Sequence, residues 1–73
     1  MRKLNVTVTS VQFFKSGLGR KATTIFTGRI VKDDPSRDVV RPVGFRLISE
    51  PVIDIRDDGR TVETFGTIFN VVR

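Results

Sequence analysis

Residues 4–14, LNVTVTSVQFF, decide the fold. Leu4, Val6 and Val8 fall on one side of an extended chain and Asn5, Thr7 and Thr9 on the other, the period-2 pattern of a half-buried strand. After Ser10 the apolar set changes parity to Val11 and Phe13, while Phe14 takes the opposite side. A one-step change of this kind is what a β-bulge or a sharp bend produces, so the first strand is predicted to curve.

The same patterning continues along the chain. Residues 21–32 are rich in β-branched side chains around Phe26, and Gly28 inside that run predicts a kink or a close backbone approach. The KDDPSRD segment then breaks the pattern: Asp34 before Pro35 has the order of a cap and first helical position, giving one short turn or a polar loop. Over residues 39–48, Val39, Val43, Phe45 and Leu47 share one face, and Pro42 makes this strand an edge or delays its start. Residues 52–56 form a short strand, followed by RDDGR, where Asp58-Gly59 is a strong hairpin signal. Residues 61–72 read as one last strand with Phe65 and Phe69 on one face and Val62, Ile68 and Val72 on the other, which implies cover on both sides. GRKATTIFTGRIV and GRTVETFGTIFNVV look alike, but turns and strands draw on the same few residues, so no duplication is read from them.

The expected fold is therefore all-β: a single small domain, residues 1–73, of about five antiparallel strands in a curled sheet or an SH3- or OB-like barrel. A chain this short buries only about 60% of the surface exposed on unfolding. With no cysteine and no histidine, disulfides are impossible and zinc lacks its usual nitrogen and sulfur ligands. Completion by homo-oligomerisation is the remaining expectation. Absence of cysteine also fits a reducing compartment, so a cytoplasmic protein is expected, host cytoplasm if viral. The N-terminal residues alternate and do not read as a signal peptide, no apolar run is long enough for a membrane span, and the Asn5-Val6-Thr7 sequon is read as a chance match.

Charge is the best functional clue. Residues 1–32 hold seven bases and no acid, whereas residues 33–73 hold six bases and eight acids, giving +7 and −2 within a net +5. A field of one sign concentrates anions on part of a small protein, although a basic face can also serve solubility alone.

Catalysis is not expected. Histidine, cysteine, tyrosine and tryptophan are all absent, and most acids sit beside turns, where turn chemistry explains them. Asp54, Asp57, Asp58 and Glu63 surround the hairpin, yet their spacing does not match a calcium loop, so no metal and no cofactor is expected. GLGRKATT is not a P-loop, because its glycines are two apart and a strand follows. Glycines nevertheless let a backbone approach a ligand, and neighbouring bases can meet its phosphates.

Basic residues interleaved with exposed aromatics are what single-stranded nucleic acid requires: counter-charge for phosphates and flat surfaces for bases. The candidate ligand-binding residues for such a strand are Phe13, Phe14, Lys15, Gly17, Gly19, Arg20, Lys21 and Arg29, whereas Arg41 and Arg46 are candidates to fork onto the phosphates of a compact nucleotide held between subunits. In a regular strand one of the adjacent pair Phe13 and Phe14 points outward without any ligand. FFKSGLGRKATT is similar to the strand, basic glycine-containing loop and returning strand of the small single-stranded-DNA-binding proteins of filamentous phages. That resemblance covers about a dozen residues. It implies a dimeric small β-barrel, while the tyrosines that the family uses for stacking have no counterpart here.

The expected function is non-catalytic binding of an anionic nucleic acid or nucleotide, foremost single-stranded nucleic acid. One alternative is an oligomeric protein of phage or bacterial type that sequesters a nucleotide or cyclic dinucleotide between subunits. Another is a protein-binding adaptor or inhibitor that uses an exposed strand edge.

Overall fold

The computed structural model describes residues 3–17 and 22–73. Six strands form one sheet: β1 Leu4–Ser16, β2 Thr23–Lys32, β3 Arg46–Ile48, β4 Val52–Arg56, β5 Thr61–Thr64 and β6 Thr67–Val71. Their hydrogen-bonded order is β3-β2-β1-β6-β5-β4. The all-β expectation holds, but the count, the orientation and the closure differ from those expected.

β1 shows the bend that its sequence predicts. Thr9 lies opposite Arg29 and Gln12 opposite Thr27, so three steps on β1 match two on β2, and Ser10 takes up the extra residue at φ +57°. Before this bulge Val6 and Val8 face the core; beyond it Phe13 pairs with Phe26 on that same side. Gly28 marks the close approach: a Cβ there would lie 3.2 Å from the Thr9 carbonyl oxygen and 3.3 Å from Val11 Cγ2. Bulge and glycine are one device, since the bent strand needs the space that Gly28 leaves.

The expected single last strand is two. It breaks at Phe65-Gly66, and β5 and β6 pair antiparallel across that turn with Val62 opposite Phe69. Val62 and Phe69 thus share the core face, while Phe65 projects from the turn at 84% exposure. Cover on both faces is not required, because the turn resets the parity on which that expectation stood.

The hairpin at Asp58-Gly59 forms as expected between β4 and β5, with the Arg60 amide donating to the Asp57 carbonyl. Its tight reversal holds Asp57, Asp58 and Gly59 all at positive φ.

The all-antiparallel expectation fails at the centre of the sheet, where β6 lies parallel to β1. Barrel closure fails for a related reason. The ladders make β3 and β4 run in the same direction at opposite edges, joined only by Ser49-Glu50-Pro51. Two parallel strands need a crossover of about a dozen residues or more before they can lie side by side. With three, β3 and β4 follow one another, no ladder joins them, and the sheet stays open.

β3 is also much shorter than the expected strand over residues 39–48. Val39 and Val43 are exposed, and the chain enters the sheet only after Gly44, at φ +87°, donates its amide to the Ile30 carbonyl. Ser49 then secures the exit from β3: its amide donates to the Phe26 carbonyl and its Oγ accepts the Phe26 amide, each at 2.8 Å.

The core is small. Val6, Val8, Phe26, Ile30, Leu47, Val62 and Phe69 are buried together, with Phe26 and Phe69 packed edge to face at 4.8 Å between ring centroids. Both sheet edges carry features that oppose strand addition: β3 is three residues long, and β4 follows Pro51, bears Asp54 and Arg56 and has an irregular register.

Candidate functional site

Side chains on β2 alternate between a buried set, Phe26, Gly28 and Ile30, and an outer set that includes Ile25, Thr27 and Arg29. The ladders carry the outer set onto its neighbours. Phe14 lies opposite Ile25, Gln12 opposite Thr27, Thr27 opposite Ile48, and Arg29 opposite Arg46. One face of β1-β2-β3 therefore holds two arginines at one end and Phe14, 46% exposed, at the other. Four strand steps separate Ile25 from Arg29, about 13 Å at the usual rise.

Arg29 and Arg46 are directly opposed like charges, and both are exposed. Among the described residues neither guanidinium has an ion pair or a side-chain hydrogen bond. Such a cross-strand pair is repulsive on its own. Beside it, Ser10, Gln12, Thr27 and Gly28 complete a hollow of about 290 Å³ that offers hydroxyl and amide groups next to the two positive charges.

The other candidates divide. Phe13 and Lys15 fall on the opposite side of β1 from Phe14; Phe13 packs edge to face on Phe26 at 5.9 Å, and Lys15 Nζ donates to Thr24 Oγ1 at 2.8 Å. Gly17 is exposed at φ +95°. Gly19, Arg20 and Lys21 lie outside the described residues.

Arg41 is engaged by the protein itself, with its guanidinium 5.9 Å from the centroid of the Phe45 ring. Its backbone amide and Nε donate to Asp33 Oδ2 at 2.8 and 3.0 Å, and its Nη2 donates to Oδ1 at 3.2 Å. Arg37 Nε lies 3.3 Å from the same carboxylate, whose side chain is wholly buried. Burial alone would raise the Asp33 pKa; the hydrogen bonds from the Arg41 side chain and amide and from the Asp34 amide, with the Arg41 charge, outweigh it and hold the pKa at about 2. Next to it, Asp34 accepts the Asn5 amide and the Ser36 amide and hydroxyl, and the Arg37 amide donates to the Asp34 carbonyl, so the segment is a polar loop with a hydrogen-bonded turn at Pro35-Ser36 and not a helical turn.

The hairpin acids are engaged as well. Glu63 accepts from Lys3 and Arg56, which hold its pKa below the usual carboxylate range, and Arg56 also donates to Asp54 at 2.7 Å. Asp57 accepts the Thr61 hydroxyl. Among the described residues no three acidic side chains come together as a metal site, and no helix is long and apolar enough to cross a membrane.

Sequence reading missed Ser10, Gln12 and Thr27 as companions of the arginines. The parity change at Ser10 was the available signal, since a bulge re-aims side chains at the place where it forms. No protein-family model matches the chain, and no curated protein or solved structure matches it significantly.

Proposed function

We propose that this protein is a non-catalytic binder of single-stranded nucleic acid and that the outer face of β1-β2-β3 is its contact surface. The observation that carries this reading is the opposition of Arg29 and Arg46 with no acid to neutralise either among the described residues. An anion bridging the two guanidinia turns a repulsive pair into an attractive triad, and a phosphodiester presents its oxygens in the geometry that arginine forks accept. Phe14, farther along the same face, supplies a flat surface on which an unstacked base can lie. Phosphate contacts beside a flat stacking surface suit a binder with little sequence preference.

The test is fluorescence anisotropy of a labelled single-stranded oligonucleotide across a salt series. The observed affinity is expected to fall linearly with salt on logarithmic axes. The Arg29→Gln/Arg46→Gln double variant is expected to flatten that slope by about 0.7 for each phosphate left without its arginine. Absence of binding to DNA and RNA strands at low salt, or binding indifferent to both substitutions, would refute the proposal.

A further inference from the structure

Arg46, Arg29 and Thr9 stand in one row across the strands, since each lies opposite the next on β3, β2 and β1. On the other side of β1 the row continues. Val8 lies opposite Val71, the Val72 amide donates to the Val8 carbonyl at 2.8 Å, and the Val71 amide donates to the Arg60 carbonyl at 2.7 Å. Arg60 is thereby held at the same level of the sheet as Arg29 and Arg46, but the row changes face within β1, since Thr9 lies with Arg29 on the outer side while Val8 and Val71 face the core. Four inter-strand spacings make the row about 19 Å long, more than one phosphate group can bridge.

The row crosses the bulge. Ser10 lines the hollow beside Arg29 and Arg46 and also a larger cleft, of about 990 Å³, at the end of the sheet where β6 stops and β1 continues. In this cleft Val11 and Phe13 form an apolar wall, with Phe13 43% exposed and one edge against Phe26. Arg60 and Arg73 line it too, and among the described residues neither guanidinium has a partner. Asp58 is the one acid among its lining residues.

Resting on the outer-face reading, we propose that this cleft is a second subsite for the same strand. A single-stranded nucleic acid leaves Arg29 and Arg46, bends over Ser10 at the end of the sheet, and enters the cleft. There Arg60 and Arg73 meet its phosphates and Phe13 takes a base. The bulge is what makes the path passable, because it turns the second half of β1 aside just where the strand must cross.

Two oligothymidylates separate this subsite from the outer face: one of about three nucleotides, able to occupy one subsite, and one of about twelve, able to occupy both. The Arg60→Gln/Arg73→Gln variant is expected to bind the longer strand about tenfold more weakly, with a salt slope lower by about 0.7 per residue, and to weaken the short strand by a smaller factor, since the outer face remains open to it. Phe13→Leu is expected to weaken the long strand by about fivefold or more. Thermal melts of each variant confirm that the fold is retained. If the long strand is unaffected by the Arg60 and Arg73 changes but released on changing Arg29 and Arg46, the second subsite is overturned and the outer face stands. If neither strand binds, or if the Arg29 and Arg46 changes have no effect on either, both readings fall.

Discussion

Two pairs of basic side chains on this small sheet have opposite fates. At the corner after β2, Arg37 and Arg41 converge on the buried carboxylate of Asp33, and the Arg41 fork is used in full by the protein. On the outer face Arg29 and Arg46 converge on nothing, and they stand opposite each other. The net charge of the chain counts all four arginines alike. What separates them is whether folding brings an acid to the guanidinium: in the first case charge holds a loop in place, and in the second no partner meets it among the described residues.

The largest effect should come from breaking the satisfied corner. Asp33→Asn keeps the shape but removes the charge, which leaves two guanidinia around a neutral amide that cannot accept with both ends. Loss of one partner of a buried ion pair destabilises by about 3 kcal/mol. Urea unfolding of the variant should show a lowered midpoint with an unchanged slope. An unchanged midpoint would mean that Arg37 and Arg41 are as dispensable as solvated arginines.

Acid should reach the same corner in the unaltered protein. The folded pKa of Asp33 is about 2 against an ordinary 3.8, so the group is depressed, and its contribution is fully present above about pH 4 and lost as pH falls through about 2. At about 1.4 kcal/mol per pH unit the contribution is about 2 kcal/mol. Stability measured against pH should therefore fall over that window, and the Asp33→Asn variant should lack this part of the fall. Equal acid sensitivity in both proteins would place the titrating group elsewhere.

Most of the β-structure was legible because period-2 patterning and turn residues are local. Val6, Val8 and the parity change at Ser10 predict a bulged strand that the structure contains, and Asp58-Gly59 predicts its hairpin. The Phe65-Gly66 reversal was not legible, since a phenylalanine amid apolar residues reads as strand, and missing it merged β5 with β6. Openness of the sheet was not legible either. It follows from which strands lie adjacent, above all the parallel pairing of β1 with β6, and no local pattern encodes a contact between the two ends of a chain. The site was legible by residue type and not by partnership. Arg29, Arg41 and Arg46 were indistinguishable as sequence, because the distance of Arg41 from Asp33 depends on how the loop between β2 and β3 closes.

The smallest effect on stability should carry the sharpest functional contrast. Arg46→Glu replaces the repulsive opposition to Arg29 by an attractive one, and opposed unlike charges on neighbouring strands contribute about 0.5 kcal/mol. Because Arg46 is exposed on a short edge strand, the fold should be unchanged or slightly more stable, with a melting temperature equal to or just above that of the unaltered protein. Nucleic-acid affinity should move the other way, since the new carboxylate occupies the Arg29 fork and repels phosphate. Residues selected for stability resist exchange because the folded state needs them; here the stable choice at position 46 would be an acid. A variant that is more stable and still binds strands as before would show that Arg29 and Arg46 face each other for no purpose of binding. A variant that is more stable and no longer binds would identify their opposition as a cost in stability that the folded protein carries for its ligand.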